Sequence, residues 1–241
     1  MLQTIKRWFS GVAGSGWAGA AEWAEARRYS FKRTRDGDGF VVDAGAPGSG
    51  WRLEWGPSQR PYIQGSELRL RGDIGEIDLQ MMVLSRSLMD SMEKAVFEQF
   101  TEDLQTRIDT ATPEEMRWLV LFPKMPANEL KMLRDSFGAA GSAPRWLAQW
   151  LAGPLSQQLQ QARSSWLAPE DPLALILQRG RLTLRLAVQQ PDAARLTAAA
   201  VLFDVALREA RRVAQACNDN GVASTQPSMW SGSGDDGPAA R

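Results

Sequence analysis

The sequence predicts an α+β fold: an antiparallel β-meander plus a later β-hairpin, with long amphipathic helices packed on one face. Three observations carry this. Between residues 29 and 84 apolar side chains recur with period two, from Ser85 the period becomes 3.6, and strand pattern returns at 173–188 before a last helical stretch at 191–216.

Residues 1–12 read as a short amphipathic helix. Leu2, Ile5, Phe9 and Val12 share a stripe with Met1 and Trp8 beside them, while Gln3, Lys6, Arg7 and Ser10 lie opposite. A glycine-rich hinge, GVAGSGWAG, follows, then a helical AAEWAEARR, so that residues 1–28 form an N-terminal segment ahead of a globular domain at 29–216. Alternating runs at 29–34 and 39–45 flank Asp36-Gly37-Asp38-Gly39, a hairpin signal because glycine tolerates the positive φ of tight turns. Residues 51–55 and 67–73 continue the alternation, with Leu68 and Leu70 on one face and Glu67, Arg69 and Arg71 on the other. Residues 79–84 are apolar on both faces and read as a more central strand, the alternative being the start of the next helix.

Leu88, Met92, Val96, Phe100 and Leu104 set a helix over 85–108. Thr112-Pro113-Glu114-Glu115 has the form of a capping box and opens a helix that must stop by Pro123. A further helix is expected over 127–138, ended by Gly138, and another over 145–166 with a break at Gly153-Pro154. Residues 173–177 and 181–188 form a hairpin around Gln178 to Gly180, and Leu196, Ala200, Phe203 and Leu207 set the last helix. The polar stretch 217–241 has too few apolar residues to offset its ordering entropy and reads as a disordered tail. Residues 67–104 and 173–216 both run strand, strand, helix, which raises a duplicated ββα unit as a hypothesis.

Composition narrows the chemistry. Lys+Arg and Asp+Glu are both 28, so no net field draws in nucleic acid. There is no histidine, and the one cysteine, Cys217, can form neither an intramolecular disulfide nor a thiolate cluster. No cofactor, metal site or catalytic residue is assigned, and an enzyme built on this chain would have to work with carboxylates, Lys, Tyr or Arg.

Individual motifs stay on the structural side. Gly14, Gly16 and Gly19 match a dinucleotide fingerprint, yet the segment before them has helical period where that site needs a strand. Twelve carboxylates lie against five bases between residues 67 and 115, and Glu98 and Glu102, one turn apart, read as part of a solvated acidic helix face rather than as paired catalytic carboxylates. Trp51, Leu53 and Trp55 share one strand face. Burying two indoles removes on the order of 300–500 Å² from water, worth up to about 8–12 kcal/mol, against about 1–3 kcal/mol for one ring stacked on a base. The core is favoured; the alternative is a ligand groove with Arg52, Arg60 and Tyr62 as polar contacts.

The sequence therefore points to a non-catalytic interaction or scaffolding domain with a protein partner, in a bacterial-type cytoplasm. The alternative is a peripheral protein at the inner membrane face, held by Leu2, Ile5, Lys6, Arg7, Trp8 and Phe9, since basic residues near an anionic surface each add about 1 kcal/mol.

Overall fold

Leucines and aromatics on alternate positions of successive strands require one apolar sheet face, and the strands pair so that those positions align. In the computed structural model, which describes residues 17–46, 50–102 and 112–219, eight strands form one antiparallel sheet. They are β1 (Ser30–Arg33), β2 (Phe40–Ala44), β3 (Trp51–Pro57), β4 (Ser66–Asp73), β5 (Met81–Ser85), β6 (Phe137–Gly141), β7 (Leu173–Gln178) and β8 (Arg181–Ala187). Their spatial order is β1-β2-β3-β4-β8-β7-β5-β6. The helix expected over 1–12, the first hinge glycines and residues 220–241 lie outside the described residues.

Register explains the layering. Val42, Leu53, Leu70, Leu184, Leu175, Val83 and Ala139 are successive cross-strand partners, and the rows on either side, from Phe40 to Leu173 and from Ala44 to Met81, point the same way. This face is covered by α1 (Ala18–Ala26), α5 (Pro144–Leu151), α6 (Pro154–Ser165) and α7 (Ala193–Asp219), which bury Trp23, Trp146, Trp150, Leu155, Leu159, Phe203 and Cys217 with it. Close approach has a local cause at Gly72, where a Cβ would stand 2.7 Å from the Leu207 side chain of α7. Trp51 is 8% exposed, its indole N–H donating to Asp204 of α7 at 2.6 Å, and half-buried Trp55 donates to the Val188 carbonyl. Both indoles belong to this core, as do Trp146 and Trp150.

The helices nevertheless divide between the two faces, which corrects the expectation of one. Met82, Leu84, Ala140, Ala174 and Ile176 point away from the first core and pack under α2 (Arg86–Glu102) and α3 (Glu114–Leu121). The reason is in β5 itself, whose five residues are all buried and so need cover on both sides.

Other expectations are corrected too. The hypothesis of a duplicated ββα unit fails, because the β7–β8 hairpin pairs between β4 and β5, and α2 and α7 lie on opposite faces. Residues 127–138 are helical only at α4 (Ala127–Leu130) and a following 3₁₀ turn, after which Phe137–Gly141 forms the unforeseen β6. Its Gly-Ala-Ala-Gly run has no two-residue alternation to read. Thr112 does not cap α3; Pro113 holds the cap position without a side-chain hydrogen bond. Residues 18–26, assigned from sequence to the N-terminal segment, share the domain's core through Ala20, Trp23 and Ala24, and the last helix extends to Asp219. The β7–β8 connection is a two-residue turn with positive φ at both Arg179 and Gly180, as the primed hairpin turns require.

Candidate functional site: the charged half of the sheet

Where α2 and α3 end, the second face of the sheet changes character. Over β2, β3, β4 and β8 the outward positions are charged: Glu54, Arg69 and Arg185 form one cross-strand row, and Asp43, Arg52, Arg71 and Thr183 the next. Glu67, Arg69 and Arg71 lie on the face opposite Leu68 and Leu70, as sequence alternation places them, and Glu67 and Arg69 are buried there.

Ion pairs join these groups into one network. Arg185 donates to Glu67, with side chains 6% and 1% exposed, and Glu67 also accepts the Gln59 backbone N–H at 2.9 Å. Arg69, 10% exposed, donates to Glu54 at 2.7 Å and stands 3.9 Å from Glu67. Glu54 further accepts from Arg52 at 2.8 Å, and Arg52 reaches Asp43 at 3.5 Å. Glu54 therefore faces three arginines, and although burial alone would raise its pKa, the Arg52 hydrogen bond and the Arg71 and Arg69 charges hold it below the ordinary carboxylate range. Nε and Nη1 of Arg69 and Nε of Arg185 are buried without hydrogen-bond partners.

Arg71 is the exception in this network. It is one-third exposed, makes no hydrogen bond among the described residues, and comes only within 3.9 Å of Glu54. Burial lowers its pKa; Glu54 opposes this, and the like charges of Arg69, Arg185 and Arg181 add to the lowering.

The surface above is concave. A groove of about 600 Å³ runs over Arg52, Glu54, Arg71 and Gly72, bounded by Asp43–Ala46 and Gly50 on one side and Asp73 and Arg181 on the other. A smaller depression of about 330 Å³ shares Arg52 and Glu54 and reaches Arg69, Gln59 and Asp36. Of the three residues expected in a groove, Arg52 lies here. Arg60 and Tyr62 converge elsewhere, on Glu115 of α3, each at 2.5 Å. That clasp pins the segment 58–65 beside the buried Glu67–Arg185 pair.

The clasp carries a pH dependence. Burial would raise the Glu115 pKa, but the Tyr62 hydrogen bond and the Arg60 charge outweigh it and the carboxyl titrates low. A depressed folded-state pKa contributes stability above the unfolded value, near about 4.3, and loses it as pH falls through the folded value. Tyr62→Phe is therefore expected to narrow the stability difference between pH 7 and pH 3 in thermal melts; an unchanged difference contradicts this account.

Elsewhere, Glu98 of the acidic helix is exposed and lies 3.8 Å from Lys94, while the side chain of Glu102 is outside the described residues. Residues 2–9, the expected membrane or partner contact, are outside them as well. Among the described residues no helix is long and apolar enough to cross a membrane. Comparison with protein-family models, curated proteins and solved structures returned no match.

Proposed function

We propose that the chain is a non-catalytic interaction domain and that the charged half of its sheet is the surface that receives a protein partner. The observation that carries this reading is the asymmetry of the second face: one half is sealed by α2 and α3, while the other is an open groove floored by ion-paired arginines. Fixing charged side chains on a sheet, each oriented by its neighbours, removes much of the entropy that binding would otherwise cost. Rims with both signs, Arg52–Asp43 and Arg181–Asp73, suit a polypeptide surface.

A photo-crosslinking residue in place of exposed Arg181, used in living cells, is expected to give discrete adducts that the same residue at exposed Val201 does not give, and Arg52→Glu should remove them. Equal adducts at both positions, or none at either, would overturn the reading. The rival role, peripheral membrane attachment through residues 1–12, predicts that vesicles of anionic lipid pellet the full chain more than a chain lacking those residues; an interaction domain predicts equal pelleting.

A further inference from the structure

We infer that Arg71 is the recognition point of this groove, and that it binds one carboxylate, the side chain of an Asp or Glu in a partner protein. The inference rests on the reading of the groove as a partner surface and names what is recognised there.

Charge bookkeeping points to the ligand. The contiguous network holds four guanidiniums, Arg52, Arg69, Arg71 and Arg185, and three carboxylates, Asp43, Glu54 and Glu67. One positive charge is in excess. Arg52 lies 3.5 Å from Asp43, Arg69 donates to Glu54 and Arg185 to Glu67, so each carboxylate has its own guanidinium and the remaining positive charge falls on Arg71, which comes no nearer than 3.9 Å to Glu54 and whose planar fork makes no hydrogen bond among the described residues. The neighbouring Arg181–Asp73 pair is neutral and adds nothing.

A carboxylate fits this arrangement in both charge and geometry. Guanidinium and carboxylate pair through two parallel N–H···O bonds, which uses the free fork and cancels the single excess charge. A phosphoryl dianion would overshoot it and lie against Asp43, Glu54 and Asp73. The groove above Arg71, about 600 Å³, accommodates several residues of an extended segment.

The experiment follows the arginine Nε–Hε and backbone amide signals of the full chain by NMR during titration with the blocked peptide acetyl-Ala-Gly-Glu-Gly-Ala-amide, its Gln counterpart and its phosphoserine counterpart. Expected are saturable shifts at Arg71 and Gly72 with the Glu peptide, affinity weaker by about tenfold or more with Gln, and loss of the Arg71-centred response in Arg71→Gln. Because Arg71 has no hydrogen bond to lose, that variant should melt as the parent does; Arg71→Lys, which keeps the charge but not the fork, should bind at an intermediate level. Equal shifts from the Glu and Gln peptides would overturn the carboxylate assignment while leaving a peptide-binding groove. A phosphoserine peptide bound about tenfold tighter than Glu would overturn it in favour of a dianion. No shift with any peptide would overturn it outright, and the crosslinking at position 181 reports separately on whether the surface is a partner surface at all.

Discussion

Replacing Glu67 by alanine is expected to cost about 3–5 kcal/mol of stability, far beyond the effect of any exposed charge on the same face. The carboxylate is 1% exposed, accepts from Arg185 and from the Gln59 backbone, and lies 3.9 Å from Arg69. Its removal strands the Arg185 guanidinium and leaves Arg69 with Glu54 alone, in a setting where three nitrogens of the two arginines already lack hydrogen-bond partners among the described residues. Most of the cost is therefore the desolvation of charges left behind, rather than the value of the bond removed. The double variant Glu67→Ala, Arg185→Met should accordingly be more stable than the sum of its singles, though still below the parent because the Gln59 backbone N–H loses its acceptor. Denaturant melts of the four proteins test this, and additive losses would show that the buried pair is not one coupled unit. Arg52→Ala, whose partner ion pairs are half-exposed, should change stability by no more than about 1 kcal/mol.

That contrast separates the two tiers of the charged face. Glu67, Arg69 and Arg185 lie beneath, fixed at high energetic stake; Arg52, Arg71 and Arg181 lie above, free of large stability consequences. Substitutions in the upper tier can therefore be read for binding without confusion from unfolding. The lower tier holds the upper in place, since Glu54 is shared by Arg69 below and by Arg52 and Arg71 above.

How much of this could be read from the chain depends on which forces were local. The strands at 30–33, 40–44, 51–57 and 66–73 follow from alternation and the Asp-Gly turn, and the placement of Trp51 with the core follows from burial energy. The non-local features did not follow. Alternation alone says that Arg69 and Arg71 face away from Leu68 and Leu70, but whether that outward face is water or an ion-paired layer depends on β3 and β8 supplying Glu54 and Arg185 on either side. Arg52, Arg60 and Tyr62 all lie within or just after the Trp51–Trp55 strip in sequence, whereas Glu115, 53 residues beyond Tyr62, decides where Arg60 and Tyr62 go. Glu115 itself read as a capping-box residue, since the same Thr-x-x-Glu spacing serves either role until the tertiary partner is known. Arg71 carried no sequence signal apart from an Arg-Gly-Asp triplet, which points to nothing in the sheet. Its significance is a missing partner, and that is visible only once the neighbours are counted.

Trp150→Ala should be the most damaging change in the helical layer, with a loss of about 3–5 kcal/mol. The ring is fully buried between α5 and α7, and its indole N–H donates to the Ala206 carbonyl at 3.1 Å. Truncation leaves a cavity that α7 cannot collapse into, because α7 is tied to β3 by the Trp51–Asp204 bond and to α1 by the Trp23–Thr197 bond. Trp150→Phe keeps most of the apolar volume and loses the hydrogen bond, so about 1–2 kcal/mol is expected there. Trp55→Ala should fall below Trp150→Ala, because that ring is only partly buried and lies near the end of its strand. If thermal melts instead placed Trp150→Ala within about 1 kcal/mol of the parent, the helix layer would not be packed as a core, and the rigid backing that holds the opposite, charged face in register would be lost with it.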